Sequence, residues 1–215
     1  MITKRLLIFA LIGLSLVGCR LWGVRGSGHL EREVRDVEDF NEIDVGGAFN
    51  VDINVSDDYY LEIIADDNLL QYITTRVKGR KLIIEERKDL NPRRDIKIKI
   101  GVPNLERLES SGANDIWADG INEDSFEVGM SGAGSIELLG DVNKIWIEIS
   151  GAGSIDARKL YAKDAKVYIS GAASAEVYAS ESLDAEVSGV GSIEFYGDPS
   201  DVKTDISGIG SIDRR

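Results

Sequence analysis

From Phe49 to Val55 apolar and polar residues alternate almost without fault, as Phe-Asn-Val-Asp-Ile-Asn-Val. A period of two sends alternate side chains to opposite faces, so this run predicts a half-buried strand. Similar runs predict strands at Phe40 to Val45, Tyr60 to Ala65, Ile73 to Val77, Leu82 to Glu86 and Ile96 to Val102. Between them, Lys78-Gly79-Arg80 reads as a hairpin turn and Asp89 to Arg94 as a loop, and Pro103 marks a corner. Asp66 to Tyr72 is the one helical turn predicted, with its acids at the positive end of the dipole.

In the second half the pattern becomes periodic. Six near-copies of one phrase begin at Ser111, Ser131, Ser150, Ser170, Ser188 and Ser207, most often reading Ser-Gly-x-Gly-Ser-Ile. The serines are 20, 19, 20, 18 and 19 residues apart. A repeat that short cannot bury its own apolar face and must stack on a neighbour, which predicts an all-β solenoid with rungs of about 19 residues. Each unit has room for two or three short strands. One strand carries the Ser-Ile-Glu phrase. Another precedes the next Ser-Gly and supplies an inward column: Phe126, Val128, Met130; Ile145, Ile147, Ile149; Ala165, Val167, Ile169; Leu183, Ala185, Val187; Val202, Thr204, Ile206.

The glycine-rich phrase invites a phosphate-loop reading, but neither Gly-Lys-Ser/Thr nor a strand–helix unit follows it. Glycines repeated in every rung fit stacked corners, where a side chain would obstruct the rung above.

Beyond the repeat series, the residues that stand out are Phe40-Asn-Glu-Ile-Asp-Val-Gly-Gly-Ala-Phe49-Asn-Val-Asp-Ile, Asp67-Asn-Leu and Ile73-Thr-Thr-Arg-Val. With them stand Lys81-Leu-Ile-Ile84 and Val102-Pro-Asn-Leu-Glu-Arg-Leu-Glu-Ser-Ser-Gly112. Over residues 39 to 213 the chain resembles the putative auto-transporter adhesin, head GIN domain family of bacterial envelope proteins. The resemblance implies a right-handed parallel β-helix at the cell envelope and no established enzymatic activity.

The N-terminus changes the picture of where the domain sits. Lys4 and Arg5 precede an apolar run from Leu6 to Leu16 that is too short for a permanent span, and the run ends Leu16-Val17-Gly18-Cys19. This resembles a bacterial lipoprotein signal, cut before Cys19 with lipid attached there. Residues 1–18 are then the signal peptide, 19–38 the lipidated cysteine and a partly flexible tether, and 39–213 the solenoid, with its regular repeats in 111–212. Acyl chains anchor with about 0.8 kcal/mol per buried methylene. Cys19 is the only cysteine, so core burial rather than disulfides must hold the fold. Arg20 after the cysteine, and no acidic run beyond it, favour an outer-membrane lipoprotein facing the periplasm.

The formal charge is −13, and loss of Lys4 and Arg5 with the signal takes it to −15. Such a surface repels nucleic acid and anionic lipid. A lone histidine, His29, in the tether cannot build a nucleophilic triad or a His/Cys metal cluster.

The residue after the phrase's last apolar position is acidic in five successive units: Glu137, Asp156, Glu176, Glu194 and Asp213. Facing outward on rungs about 4.8 Å apart, neighbours repel by about 1 kcal/mol each. The row reads as a solvated edge that discourages sheet association, or as a calcium-binding face of carboxylate and serine oxygens. A second outward column, Glu127, Trp146, Lys166, Asp184 and Lys203, alternates in charge after the tryptophan. Trp117, Trp146, Tyr168 and Tyr178 are candidate ligand contacts for sugar rings.

These features favour a lipid-anchored binding or adhesion module without catalysis, its ligand a glycan or an envelope protein. An envelope scaffold is the alternative, and a carboxylate-dependent polysaccharide enzyme a third reading. Self-association through an uncapped last rung is a further expectation, because the final phrase is followed only by Asp213-Arg-Arg215.

Overall fold

The computed structural model describes residues 23–215; Cys19 and the signal segment lie outside them. In order come β1 (Val24–Arg25), β2 (Leu30–Val34), β3 (Glu42–Gly47), β4 (Asn50–Val55), β5 (Tyr60–Asp66), β6 (Ile73–Lys78), β7 (Lys81–Glu86), β8 (Leu90–Asn91) and β9 (Lys97–Val102). The repeats follow as β10 (Arg107–Met130), β11 (Ala133–Ile149), β12 (Ala152–Ile169), β13 (Ala172–Val187), β14 (Val190–Tyr196), β15 (Asp201–Ile206) and β16 (Ile209–Arg214). The predicted helical turn is a single 3₁₀ turn, Leu70–Tyr72.

The repeats stack in parallel and in register. Ala113 pairs with Ala133, Ala133 with Ala152, Ser154 with Ser174, Ala172 with Val190, and Val190 with Ile209. Those pairings advance by the serine spacings of the sequence, so the repeat period is the length of one turn of a β-solenoid. The turns do not divide into separate short strands. β10 to β13 run through their corners for 24, 17, 18 and 16 residues, with register shifts where the chain bends.

The inward column is buried from Phe126 through Val187. Its last members differ: Val202 is 43% and Ile206 46% exposed. β15 pairs with β13 along one edge, and no further rung among the described residues covers its inner face.

At the other end the parallel stack is closed by antiparallel strands. β5 runs antiparallel to β9, β2 to β5, and β6 to β7. The β6–β7 hairpin turns on Gly79 and Arg80, at φ 59° and 66°, the paired left-handed conformation that matches strand twist. Leu61, Ile63, Leu69, Leu70 and Ile73 are buried there, filling the end of the solenoid.

The sequence predicts a partly flexible tether through residue 38; from Val24 the described chain pairs with the rest of the fold. β1 lies parallel to β8, inside the predicted loop, and β2 joins the sheet. The cause is Asp66, a fully buried carboxylate that accepts from the amides of Gly28 at 2.6 Å and Arg93 at 2.9 Å. A buried charge needs such donors, and satisfying it ties the N-terminal segment down.

The corners show why the phrase needs glycine. A Cβ on Gly151 would stand 1.9 Å from the carbonyl oxygen of Gly132, and one on Gly171 1.9 Å from that of Gly151. The backbones nest directly, which supports the structural reading of the phrase over a phosphate loop.

Candidate functional site

Two strand faces look outward along the solenoid. On the first, register places Asp52, Trp117, Glu137, Asp156, Glu176, Glu194 and Asp213 in one column. The five acids therefore stack as the sequence predicts. Four of the five, Glu137, Asp156, Glu176 and Glu194, have a cation beside them. Arg158 bridges two rungs, with Nη2 2.5 Å from Asp156 Oδ2 and Nε 3.1 Å from Glu176 Oε2. Lys159 Nζ is 3.1 Å from Glu137 Oε1, and Arg215 Nη2 2.6 Å from Glu194 Oε1. Hydrogen bonding from Arg158 holds the Asp156 carboxyl below the usual carboxylate range, and Arg215 does the same for Glu194.

A bulge delivers Arg158 and Lys159. Ala157 pairs with Val177 and Tyr161 with Tyr178, so β12 carries Arg158, Lys159 and Leu160 where β13 has nothing. Sequence reasoning missed them. Their signal was present: Arg158-Lys159 is the one adjacent basic pair within the repeats, two residues after a ladder acid. Among the described residues no group of three or more His, Cys, Asp or Glu is placed to hold a metal ion.

The predicted aromatic contacts do not form one platform. Trp117, 39% exposed, lies on the first face beside a shallow recess lined by Asn50, Asp52, Asp115, Ser135 and Glu137. Tyr178 sits at a corner, its ring edge-on to Tyr161 at 5.1 Å and in register with Tyr196. Trp146 and Tyr168 share the second face, on neighbouring rungs.

That second face is a cross-strand charge ladder. Lys81, Glu42 and Arg107 stand in register, followed by Glu127, Trp146, Lys166, Asp184 and Lys203. Lys81 Nζ lies 2.7 Å from Glu109 Oε2 and 3.6 Å from Glu42 Oε2, and Arg107 pairs with Glu109 and Glu127. Burial, with Glu109 nearby, pushes the Asp44 carboxyl up. Trp146 is 51% exposed, with Lys166 Nζ 5.7 Å from its ring centroid. Beside it the outward position that holds Glu148, Tyr168, Glu186 and Asp205 on later rungs is Gly129. The result is a recess of about 280 Å³ lined by Arg107, Glu109, Glu127, Gly129, Trp146 and Glu148. Sequence reasoning missed Gly129, whose signal was a glycine outside the repeated phrase.

Comparison with known proteins agrees with this architecture. The sequence profile of the family described as "Putative auto-transporter adhesin, head GIN domain" matches residues 39–199. The solved structure of a putative adhesin from Bacteroides fragilis is similar, with 25% identity and a TM-score of 0.75 over 90% of this chain and 100% of that one. A putative lipid binding protein from Parabacteroides distasonis matches at 25% identity and TM-score 0.52, over 90% of this chain and 100% of its own. A putative adhesin from the same organism shares the fold at 24% identity and TM-score 0.60, with the same coverage. No curated protein matches the chain.

Proposed function

This chain belongs to the head GIN domain family, and from that premise we propose that it is a non-catalytic adhesion module of the bacterial envelope that binds glycans. Lipid on Cys19 would hold it at the outer membrane, facing the periplasm. The observation that carries the reading is Trp146. Half of the indole stays exposed on a rigid parallel sheet, with Lys166 beside the ring, which leaves an open aromatic surface. Tryptophan supplies a flat apolar surface at little entropic cost, and binding energy concentrates on such anchors. The putative adhesins among the similar structures support the same class.

The test is a glycan array probed with the full chain carrying Cys19→Ser, with calcium and with chelator. Binding lost in Trp146→Ala supports the reading. Silence under both conditions overturns it in favour of a scaffold. Calcium dependence would assign the acidic ladder a part in binding, and chelator-insensitive binding would leave it a charge-compensated surface.

A second reading, self-association, is favoured by β15. Its Asp201-Val-Lys-Thr-Asp-Ile206 is exposed along its length. An antiparallel pairing with the same strand of a second copy, centred on Thr204, would set Lys203 opposite Asp205 and Val202 opposite Ile206. Light scattering at rising concentration tests this. A dimer lost in Lys203→Asp and regained in Lys203→Asp with Asp205→Lys supports it; a monomer at every concentration rejects it.

A further inference from the structure

The recess at Gly129 differs from every other glycine site in the stacked rungs. The phrase glycines are required by close backbone approach. Gly129 is not: its backbone has no positive φ, and a Cβ there would meet only Glu109 Cγ, at 4.0 Å. A glycine in mid-strand weakens the sheet and gives no side chain to pack. One that packing does not demand is an opening onto the sheet surface.

What surrounds the opening is chemically specific. The Trp146 indole lines one side. Glu109 stands on the rung above and Glu148 on the rung below. Glu109 is held by Lys81 and Arg107, whereas Glu148 has no ion pair among the described residues. A second recess, lined by Asp44, Glu109, Ser111, Ser131, Glu148 and Ser150, continues from the same glycine. An aromatic face, carboxylate acceptors and hydroxyls thus converge on a floor of bare backbone.

We infer that Gly129 opens a subsite for one ring of a neutral hexopyranose oligosaccharide, stacked on Trp146 with its hydroxyls donating to Glu109 and Glu148. The inference rests on the glycan reading above and deepens it. Two observations select the ligand. β10 and β11 are hydrogen-bonded on both edges here, so a peptide has no free edge to extend as a strand. The acids that line the recess, on a chain of net charge −13, repel anionic sugars such as uronates. A ring with an apolar face and a rim of hydroxyl donors fits both the indole and the carboxylates.

The full chain carrying Cys19→Ser is titrated by calorimetry with mannohexaose, cellohexaose and chitohexaose, and with oligogalacturonate as the anionic comparison. The same titrations are run on Gly129→Leu, which fills the opening, and on Lys163→Ala, an exposed position that lines neither recess. A neutral hexaose should bind the parent chain, bind Lys163→Ala equally, and bind Gly129→Leu at least ten-fold more weakly. The melting temperature of Gly129→Leu reports folding, and Gly129→Ala, whose Cβ has room, gives a graded second variant. Unchanged affinity in a folded Gly129→Leu overturns the subsite and leaves the glycan reading standing. Preference for oligogalacturonate overturns the choice of ligand. Should no sugar on the wider array bind the parent chain, the glycan reading itself falls and the subsite with it.

Discussion

The backbone amide of Gly28 donates to the Oδ1 of Asp66 at 2.6 Å, across 38 residues of sequence. That bond and its companion from Arg93 convert the start of the described chain into part of the domain. They also fix where any N-terminal anchor departs, because Gly23 to Gly28 cannot swing freely while Asp66 holds them.

Replacing Asp66 by alanine removes the acceptor of two part-buried amides, those of Gly28 and Arg93. Each unsatisfied donor costs about 1–3 kcal/mol, and the loss should fall on β1 and β2 before the repeats. Hydrogen exchange checks this: amides of residues 24–34 should lose protection while those of β11 and β12 keep theirs. Uniform loss across the chain would mean that the N-terminal segment and the solenoid unfold together.

Asn114 is a phrase position where matching the repeats should do harm. Its register partner on the next rung is Gly134. Yet Asn114 is fully buried, accepts from the Phe49 amide at 3.1 Å, and donates to the carbonyl oxygens of Val45 and Ser111. Asn114→Gly should therefore destabilise by about 1–3 kcal/mol, read as a lower urea midpoint at unchanged slope. A neutral result would show that water replaces the amide.

Two Gly→Ala substitutions should have opposite signs. At Gly151 the added methyl meets backbone of the preceding rung, at Gly132, and the strain should cost about 3 kcal/mol. At Gly129 the methyl fits, and the gain in strand order should be about 0.5–1 kcal/mol. Paired urea melts decide it, and equal effects would refute the nesting argument.

Arg158→Gln removes the cation between Asp156 and Glu176. Both acids and the guanidinium are partly exposed, so the urea midpoint should fall only slightly at low salt, the effect fading as salt screens the exposed carboxylates. A loss that salt does not reduce would point to packing of the Arg158 stem instead.

Acid should first strengthen and then weaken the fold. Burial holds Asp44, Glu86 and Glu123 above the usual carboxylate range. In the folded state these groups bind protons more tightly than when unfolded, so stability rises as pH falls through their raised values. Hydrogen bonds from Ser27, Arg76, Arg158 and Arg215 hold Asp67, Glu85, Asp156 and Glu194 below that range. Their contribution is present above the unfolded value of about 4 and is lost as pH falls through the depressed ones. Urea midpoints should peak between about pH 4 and 6, and a maximum above neutrality would contradict this ordering.

The stack is legible in the order of residues alone. Serine spacing set the rung length, alternation set which side chains point inward, and phrase glycines marked the corners. Each is a local property: a period of two, or a Cβ that does not fit. The hairpin at Lys78-Gly79-Arg80 was legible for the same reason. Tertiary structure alone decided what depends on which rung lies beside which. Only register sets Arg158 between Asp156 and Glu176, because the bulge that carries it is an offset between strands rather than a residue type. Only the folded chain brings Gly28 to Asp66, a buried acid that reads as surface in sequence. The exposed indole of Trp146 belongs with these. The sequence supplied the tryptophan and the glycine 17 residues before it. One turn of the solenoid, slightly longer than that, set them side by side.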